Sequence, residues 1–369
     1  MIRVLHIVNK MDRGGIENFI MGIYRNIDRS ILQFDFMVHN NSTHGHFDDE
    51  ILSMGGRIYK ITPRKQGFIA NIRELNKFFS EHRYKIIHAH LSSLSYVEPF
   101  KIAKKYGVPH RIVHSHSTKQ GGGRFHRYLH ALNKLSINAF ATDFFSCSQL
   151  AAKWMFPKEI YLGNKYKVIR NAIEVKKYAY NPRIRDNKRI ELGIQDKFVV
   201  GHVGRFHPLK NHVFIIDIFK QIKKLKSDSI LMLVGDGDLK GKIETYIKEN
   251  ELEDSVVLTG VRNDVNELLQ AMDIMIFPSL YEGFPLILVE AQTAGLPCVI
   301  SRTITEEVKI TDLVTQISLD YPPEYWANIV LEIINKYSRE DKSDHIKSLG
   351  FDIEDIAQYM QNYYLKLIV

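Results

Sequence analysis

Short apolar runs alternate with amphipathic stretches along the whole chain. In the first half, residues 2–8, 34–39, 57–61, 86–90, 111–116, 143–147 and 168–169 predict strands. In the second half, strands are predicted at 198–203, 230–234, 256–258, 274–277, 297–300 and 314–319. Helical periodicity fills most of the gaps, as at 16–25, 69–79, 96–106, 210–224, 239–249, 285–293 and 353–367. The strands show little polar alternation, which fits sheets buried on both faces. Regular alternation of β and α elements predicts an α/β protein built from two doubly wound, Rossmann-like parallel sheets. The polar, basic segment 171–195 carries Pro182 and the dense charges of 183–189, and it marks the boundary. The expected domains are 1–170 and 171–350, with a helix in 351–369 packing back toward the N-terminal domain. In this architecture ligands sit at the C-terminal ends of the strands, so a central cleft between the two domains is the expected site.

Composition narrows the class. At 369 residues the chain is long enough for two cores, and its apolar and charged fractions are those of a globular protein. No run of eighteen apolar residues exists, so no membrane-spanning helix is expected. The first residues turn polar too soon for a signal peptide and read as a strand. Cys147 and Cys298 are the two cysteines, which excludes a disulfide framework or a four-cysteine zinc site and fits a reducing cytoplasm. Charge is uneven. Residues 1–170 hold 26 Lys+Arg against 12 Asp+Glu, whereas the remainder holds 24 against 30. The basic half favours an anionic partner such as a membrane surface or lipid phosphate, with plain solubility charge as the alternative. Its bases are scattered with no nucleic-acid motif, so nucleic acid is not expected.

The most informative segment is Glu282-Gly283-Phe284-Pro285-Leu286-Ile287-Leu288-Val289-Glu290. It follows a predicted strand. Pro285 suits the first turn of a helix, where a missing N–H costs nothing. Loop amides and the helix start at Gly283, Phe284, Pro285 and Leu286 converge on one point, a ready anion site. Two acids flanking it suggest a ligand with phosphates and hydroxyls, such as a nucleotide sugar. An ordinary strand–turn–helix with surface acids is the alternative. Upstream, Gly204-Arg205-Phe206-His207-Pro208-Leu209-Lys210-Asn211 follows another strand. Gly204 permits close backbone approach. Arg205 and Lys210 suit a diphosphate, whose departure they would ease. Gly235-Asp236-Gly237-Asp238 reads as a tight turn, and its spacing misses the dinucleotide fingerprint. Thr259-Gly260-Val261-Arg262 follows the next strand and could hold a base.

Taken together and in this order, these motifs resemble the donor domain of retaining glycosyltransferases of the GT-B fold, the group 1 or family 4 type. Gly204-Arg205, Lys210-Asn211, Gly235-Asp236-Gly237, Phe277-Pro278-Ser279, the Glu282/Glu290 pair and Ala294-Gly295-Leu296-Pro297 carry the resemblance across most of 200–300. It implies that Arg205 and Lys210 hold the donor diphosphate. It implies that Glu282, with the amides of Gly283 and Phe284, meets the sugar, and that Glu290 meets the ribose hydroxyls. It implies no metal and no cofactor beyond the nucleoside-diphosphate sugar, most simply a UDP-sugar. The same resemblance puts a Gly-rich loop facing the donor at Asp12-Arg13-Gly14-Gly15, with Gly15 the candidate.

His88-Ala89-His90 and His114-Ser115-His116 each end a strand, and alternation puts each pair on one face. Zinc ligands and buried core histidines are the two readings of the residues themselves. The resemblance adds a third: His116, with His114 second, lies beside the donor sugar, and His90 lines the acceptor side. Lys119, Arg124 and the basic loop around them run into an amphipathic helix that can lie on an anionic surface. Val168-Ile169-Arg170-Asn171-Ala172-Ile173-Glu174 departs from the family's Asn-Gly-Ile-Asp hinge pattern at Ala172 and Glu174. With His114-Ser115-His116-Ser117, it is similar to transferases of bacterial capsule and exopolysaccharide assembly. The expected acceptor is therefore a saccharide or lipid-linked saccharide at the inner face of the cytoplasmic membrane. A nucleotide-sugar epimerase of similar shape and a sugar-nucleotide-binding protein without turnover remain the alternatives.

Overall fold

The computed structural model describes residues 1–12, 14–39, 44–117 and 123–368. The chain divides into two compact units, Met1–Ala172 with Ile353–Val369, and Ile173–Asp352.

The first unit is built on seven parallel strands: β1 (Ile2–Val8), β2 (Leu32–Val38), β3 (Arg57–Lys60), β4 (Ile86–Leu91), β5 (His110–Ser115), β6 (Asp143–Ser146) and β7 (Lys167–Val168). Their order is β3-β2-β1-β4-β5-β6-β7. Every residue of β2 is buried, as a sheet covered on both faces requires. The register pairs His6 with His88 and His90 with His114, so histidines from three strands share one face. The final helix, Ile353–Lys366, packs on helix Gly15–Asn26. It sends Tyr364 into the core and Gln361 to the backbone N–H of Asp28 at 2.6 Å.

The second unit holds β8 (Phe198–Val203), β9 (Ser229–Val234), β10 (Val256–Gly260), β11 (Ile274–Phe277), β12 (Cys298–Ser301) and β13 (Val314–Ile317). All are parallel, in the order β10-β9-β8-β11-β12-β13. Strand order reverses between β8 and β11, and ligands of doubly wound sheets bind at that reversal. The charged stretch read as a boundary is an ordered helix, Pro182–Glu191. Arg185, Lys188 and Arg189 are ties, not solvating charge. Arg185 and Arg189 both pair with Asp273 at the foot of β11, and Lys188 reaches Glu191, Asp264 and Glu267 within 2.9 Å. Phe351 and Asp352 stay with this unit because Phe351 accepts a hydrogen bond from Ile173 and stacks on Phe284.

Candidate active site

The loops at the C-terminal ends of β8, β9 and β11 are stitched together by backbone contacts. Gly204 donates to Val234, Phe206 to the carbonyl of Asp236, and Leu280 to Leu209. Gly235 has φ +138, and a Cβ there would stand 2.2 Å from the Gly204 carbonyl oxygen. A Cβ at Gly237 would stand 2.6 Å from that of Phe206. The Gly-Asp-Gly motif is therefore a spacer that lets two loops lie backbone to backbone.

Lys210 closes a short 3₁₀ turn, Pro208–Lys210. Asn211 follows in the left-handed region (φ +58), and the helix predicted from 210 begins at His212. Lys210 thus stands just before a helix N-terminus, where the dipole disfavours a cation. Two contacts offset this. Its Nζ lies 2.6 Å from Glu282 Oε1, with both side chains largely buried, and 4.6 Å from the centre of the Phe277 ring. Lys210 and Glu282 come from the loops after β8 and β11, on either side of the strand-order reversal, and Phe277 ends β11. Arg205 is two-thirds exposed and reaches only toward Asp238, at 3.1 Å.

Pro285 is the N-cap of helix Leu286–Thr293 and not its first-turn residue. Gly283 is exposed, and Phe284 stacks against Phe351. Glu290 lies inside that helix beside Tyr178. Burial pushes its carboxyl up to about 7, with the Tyr178 hydroxyl and Lys177 acting in the opposite sense. The loop thus gives the two acids different settings. Glu282 is paired with a cation, whereas burial raises the carboxyl of Glu290. The Arg262 guanidinium is committed to Asp264 in a forked pair at 2.6–2.7 Å, with Glu191 at 3.8 Å. Sequence reading missed Tyr178. It also missed His202, buried beneath Gly204 with Nδ1 at 3.0 Å from the Ile276 carbonyl.

In the first unit five histidines form two hydrogen-bonded files. His6 Nδ1 meets His90 Nε2 at 3.0 Å, and His90 Nδ1 meets His116 Nε2 at 2.9 Å. Tyr364 Oη meets His88 Nδ1 at 2.6 Å, and His88 Nε2 meets His114 Nδ1 at 3.2 Å. Each link needs one hydrogen and one lone pair, so the tautomers within a file are set together. Burial lowers every one of these rings, with His6 and His116 at about 3. His6, His88 and His90, and separately His90, His114 and His116, bring ring nitrogens within 4.8 Å of one another, spacing that could hold a metal ion. The rings of His88 and His90 are nevertheless stacked, 4.2 Å apart at 24°, and their nitrogens face other rings or Tyr364. His116 is the outermost member, at the end of β5. Gly15 is exposed at the start of helix Gly15–Asn26, and a Cβ there would meet nothing within 4 Å. Arg124 is exposed at the start of helix Arg124–Ser136. Lys119 lies outside the described residues, as does Arg13.

Residues 184–349 match the family described as Glycosyl transferases group 1, and residues 13–177 match Glycosyltransferase Family 4. EpsF of Bacillus subtilis (strain 168) is 34% identical over 98% of this chain and 96% of its own length. A capsular polysaccharide biosynthesis glycosyltransferase of Staphylococcus aureus, CapH, is 26% identical over 99% of both. An Escherichia coli UDP-Gal:alpha-D-GlcNAc-diphosphoundecaprenol alpha-1,3-galactosyltransferase is 32% identical over 62% of this chain and 60% of its own. Among solved structures, Anabaena HepE in complex with UDP superposes with a TM-score of 0.79 at 20% identity, covering 99% of this chain and all of that one. The chain belongs to the group 1/family 4 glycosyltransferases, and its two parallel α/β domains are those of the GT-B fold.

Proposed function

We propose that the chain is a retaining glycosyltransferase that moves a sugar from a UDP-sugar to a lipid-linked saccharide during bacterial surface polysaccharide assembly, working at the inner face of the cytoplasmic membrane. The observation that carries this reading is the Lys210–Glu282 pair at the strand-order reversal of the second domain. UDP in the HepE structure supports the nucleotide, the name of the Escherichia relative supports the acceptor class, and that of the Staphylococcus relative supports surface polysaccharide assembly.

In this reading Lys210, with three N–H donors, keeps Glu282 and adds the donor diphosphate. Arg205, free to swing from Asp238, supplies the second cation. Charge that develops on the leaving phosphate is met by fixed positive groups without any metal. Glu282 and the amides of Gly283 and Phe284 orient the sugar. Glu290, as the anion, accepts hydrogen bonds from the ribose hydroxyls. The bond from the anomeric carbon to the phosphate oxygen breaks, and its electron pair leaves with UDP. The acceptor oxygen bonds to the same face, and its proton passes to the departing phosphate oxygen, so no protein base is needed. Proton NMR of the product tests the stereochemistry. The new linkage is expected to keep the donor's anomeric configuration, and an inverted coupling pattern refutes the scheme.

A further inference from the structure

At the N-terminal edge of the first sheet a cavity of about 450 Å³ opens where helix Phe68–Glu81 ends. Alternation and register put Arg3, Asp35, Arg57 and Lys85 on the sheet face that this helix covers. Farther along that face, Leu75, Phe78 and Phe79 of the helix share a core cluster with Leu5, Met37 and Ile87. Beyond Glu81 the strand starts lose this cover, and Arg3, Arg57 and Lys85 line the cavity with His82 and Arg83. The buried acid beneath them is already committed. Asp35 holds Arg3 in a forked pair at 2.6 Å, and it accepts the Tyr84 hydroxyl at 2.6 Å and the Arg57 backbone N–H at 2.9 Å. Arg3 and Asp35 therefore cancel. The side chains of Arg57, Arg83 and Lys85 are exposed and meet no acid or other acceptor among the described residues. Glu81 is the acid of the rim, and Lys77 stands 4.0 Å from it. His82 Nδ1 donates to the Phe78 carbonyl at 3.0 Å, and its ring stacks on Phe78 at 4.4 Å.

A helix dipole favours cations beside its C-terminus, which accounts for His82 and Arg83. It does not account for Arg57 and Lys85, which enter from the start of β3 and the approach to β4. Three permanent cations that share one recess without a counter-charge repel each other, and a concave wall concentrates their field. We infer that this cavity binds a soluble phosphate ester of sugar-phosphate or nucleotide size. Two guanidinium forks and a lysine ammonium match phosphate oxygens, and the volume is that of a small-molecule site. The site is separate from the candidate active site. Ligands of doubly wound sheets sit at the C-terminal strand ends, and this cavity lies at the other edge of the first sheet. An occupant would tie the starts of β1, β3 and β4 to the end of helix Phe68–Glu81 and so stabilise the first unit.

The test reads Lys85 directly in the full chain. Acetylation of exposed lysines by an N-hydroxysuccinimide ester is followed by mass spectrometry, with pyrophosphate as the first probe and chloride at matched ionic strength as the control. Pyrophosphate is expected to slow modification of Lys85 severalfold and to leave Lys158, exposed elsewhere in the same unit, unchanged. Glucose 1-phosphate is expected to protect Lys85 as well, and glucose is not. Arg57→Ala/Arg83→Ala removes two exposed side chains outside the core, so the fold should survive, and protection is expected to need at least about tenfold more ligand. Lys210→Ala, in the other unit, is expected to leave protection intact. Equal modification of Lys85 with and without the phosphates, protection by pyrophosphate but not by glucose 1-phosphate, protection undiminished in Arg57→Ala/Arg83→Ala, or protection lost in Lys210→Ala would overturn the inference. So would protection by phosphatidylglycerol vesicles and by neither soluble phosphate, which would assign these bases to a lipid headgroup.

Discussion

Replacing Lys210 by alanine is expected to slow sugar transfer by about 10²–10³-fold, the usual cost of removing one charge-stabilising donor from a transition state. The loss is expected mainly in kcat, because charge on the diphosphate grows as the glycosidic bond breaks. The fold should survive. Lys210 ends a short 3₁₀ turn outside the α-helices and strands, and its ion pair with Glu282 is anchored by loops whose backbone bonds do not involve its side chain. Initial rates with membrane-extracted acceptor, alongside the circular dichroism of the variant, check both halves. Unchanged kcat would remove Lys210 from the chemistry. A lost circular dichroism signal would show that the Lys210–Glu282 pair holds the loops and not the ligand.

The second large effect is on stability in acid. Burial holds His6, His88, His90, His114 and His116 well below the ordinary histidine value of 6.5. Below that value the unfolded chain binds protons that the folded one refuses, so stability falls as pH falls. Above it the rings are neutral in both states and the penalty vanishes. Each group contributes about 1.4 kcal/mol per pH unit, and five together about 7 kcal/mol, against a total stability of roughly 5–15 kcal/mol. No carboxylate is hydrogen-bonded to these rings to relieve them among the described residues. The first domain is therefore expected to unfold by about pH 5, with uptake of several protons. Trp154, the tryptophan of that domain, reports the transition by fluorescence once the buried Trp326 is replaced by phenylalanine. A first domain still folded at pH 4 would contradict the depressed values.

Much of the fold was legible because doubly wound sheets write their strands as uninterrupted apolar runs. β1, β8 and β11 span the residues that the sequence indicates, and the other ten lie within a few positions. The last turn before a helix was harder to read. Lys210 belongs to a 3₁₀ turn because Asn211 adopts a left-handed conformation, which periodicity cannot reveal. At 183–189 the charge run marks the boundary segment but not the helix there or its ties, which need Asp273, some 85 residues later, to sit opposite. The histidine files were half visible. Alternation puts His88 with His90 and His114 with His116, but linking them needs strand order and a tyrosine 276 residues away.

The central claim is that the second domain holds a nucleoside diphosphate between Lys210 and Glu290. Titration calorimetry of UDP into the full chain tests it most directly. With burial raising Glu290 to about 7, donation from ribose hydroxyls on binding should restore an ordinary carboxylate value. UDP is expected to bind with release of about half a proton at pH 7, read from buffers of different ionisation enthalpy. Lys210→Ala is expected to lose most of the affinity, and Glu290→Gln the proton release. No binding of UDP, or identical affinity and proton balance in all three proteins, would contradict it.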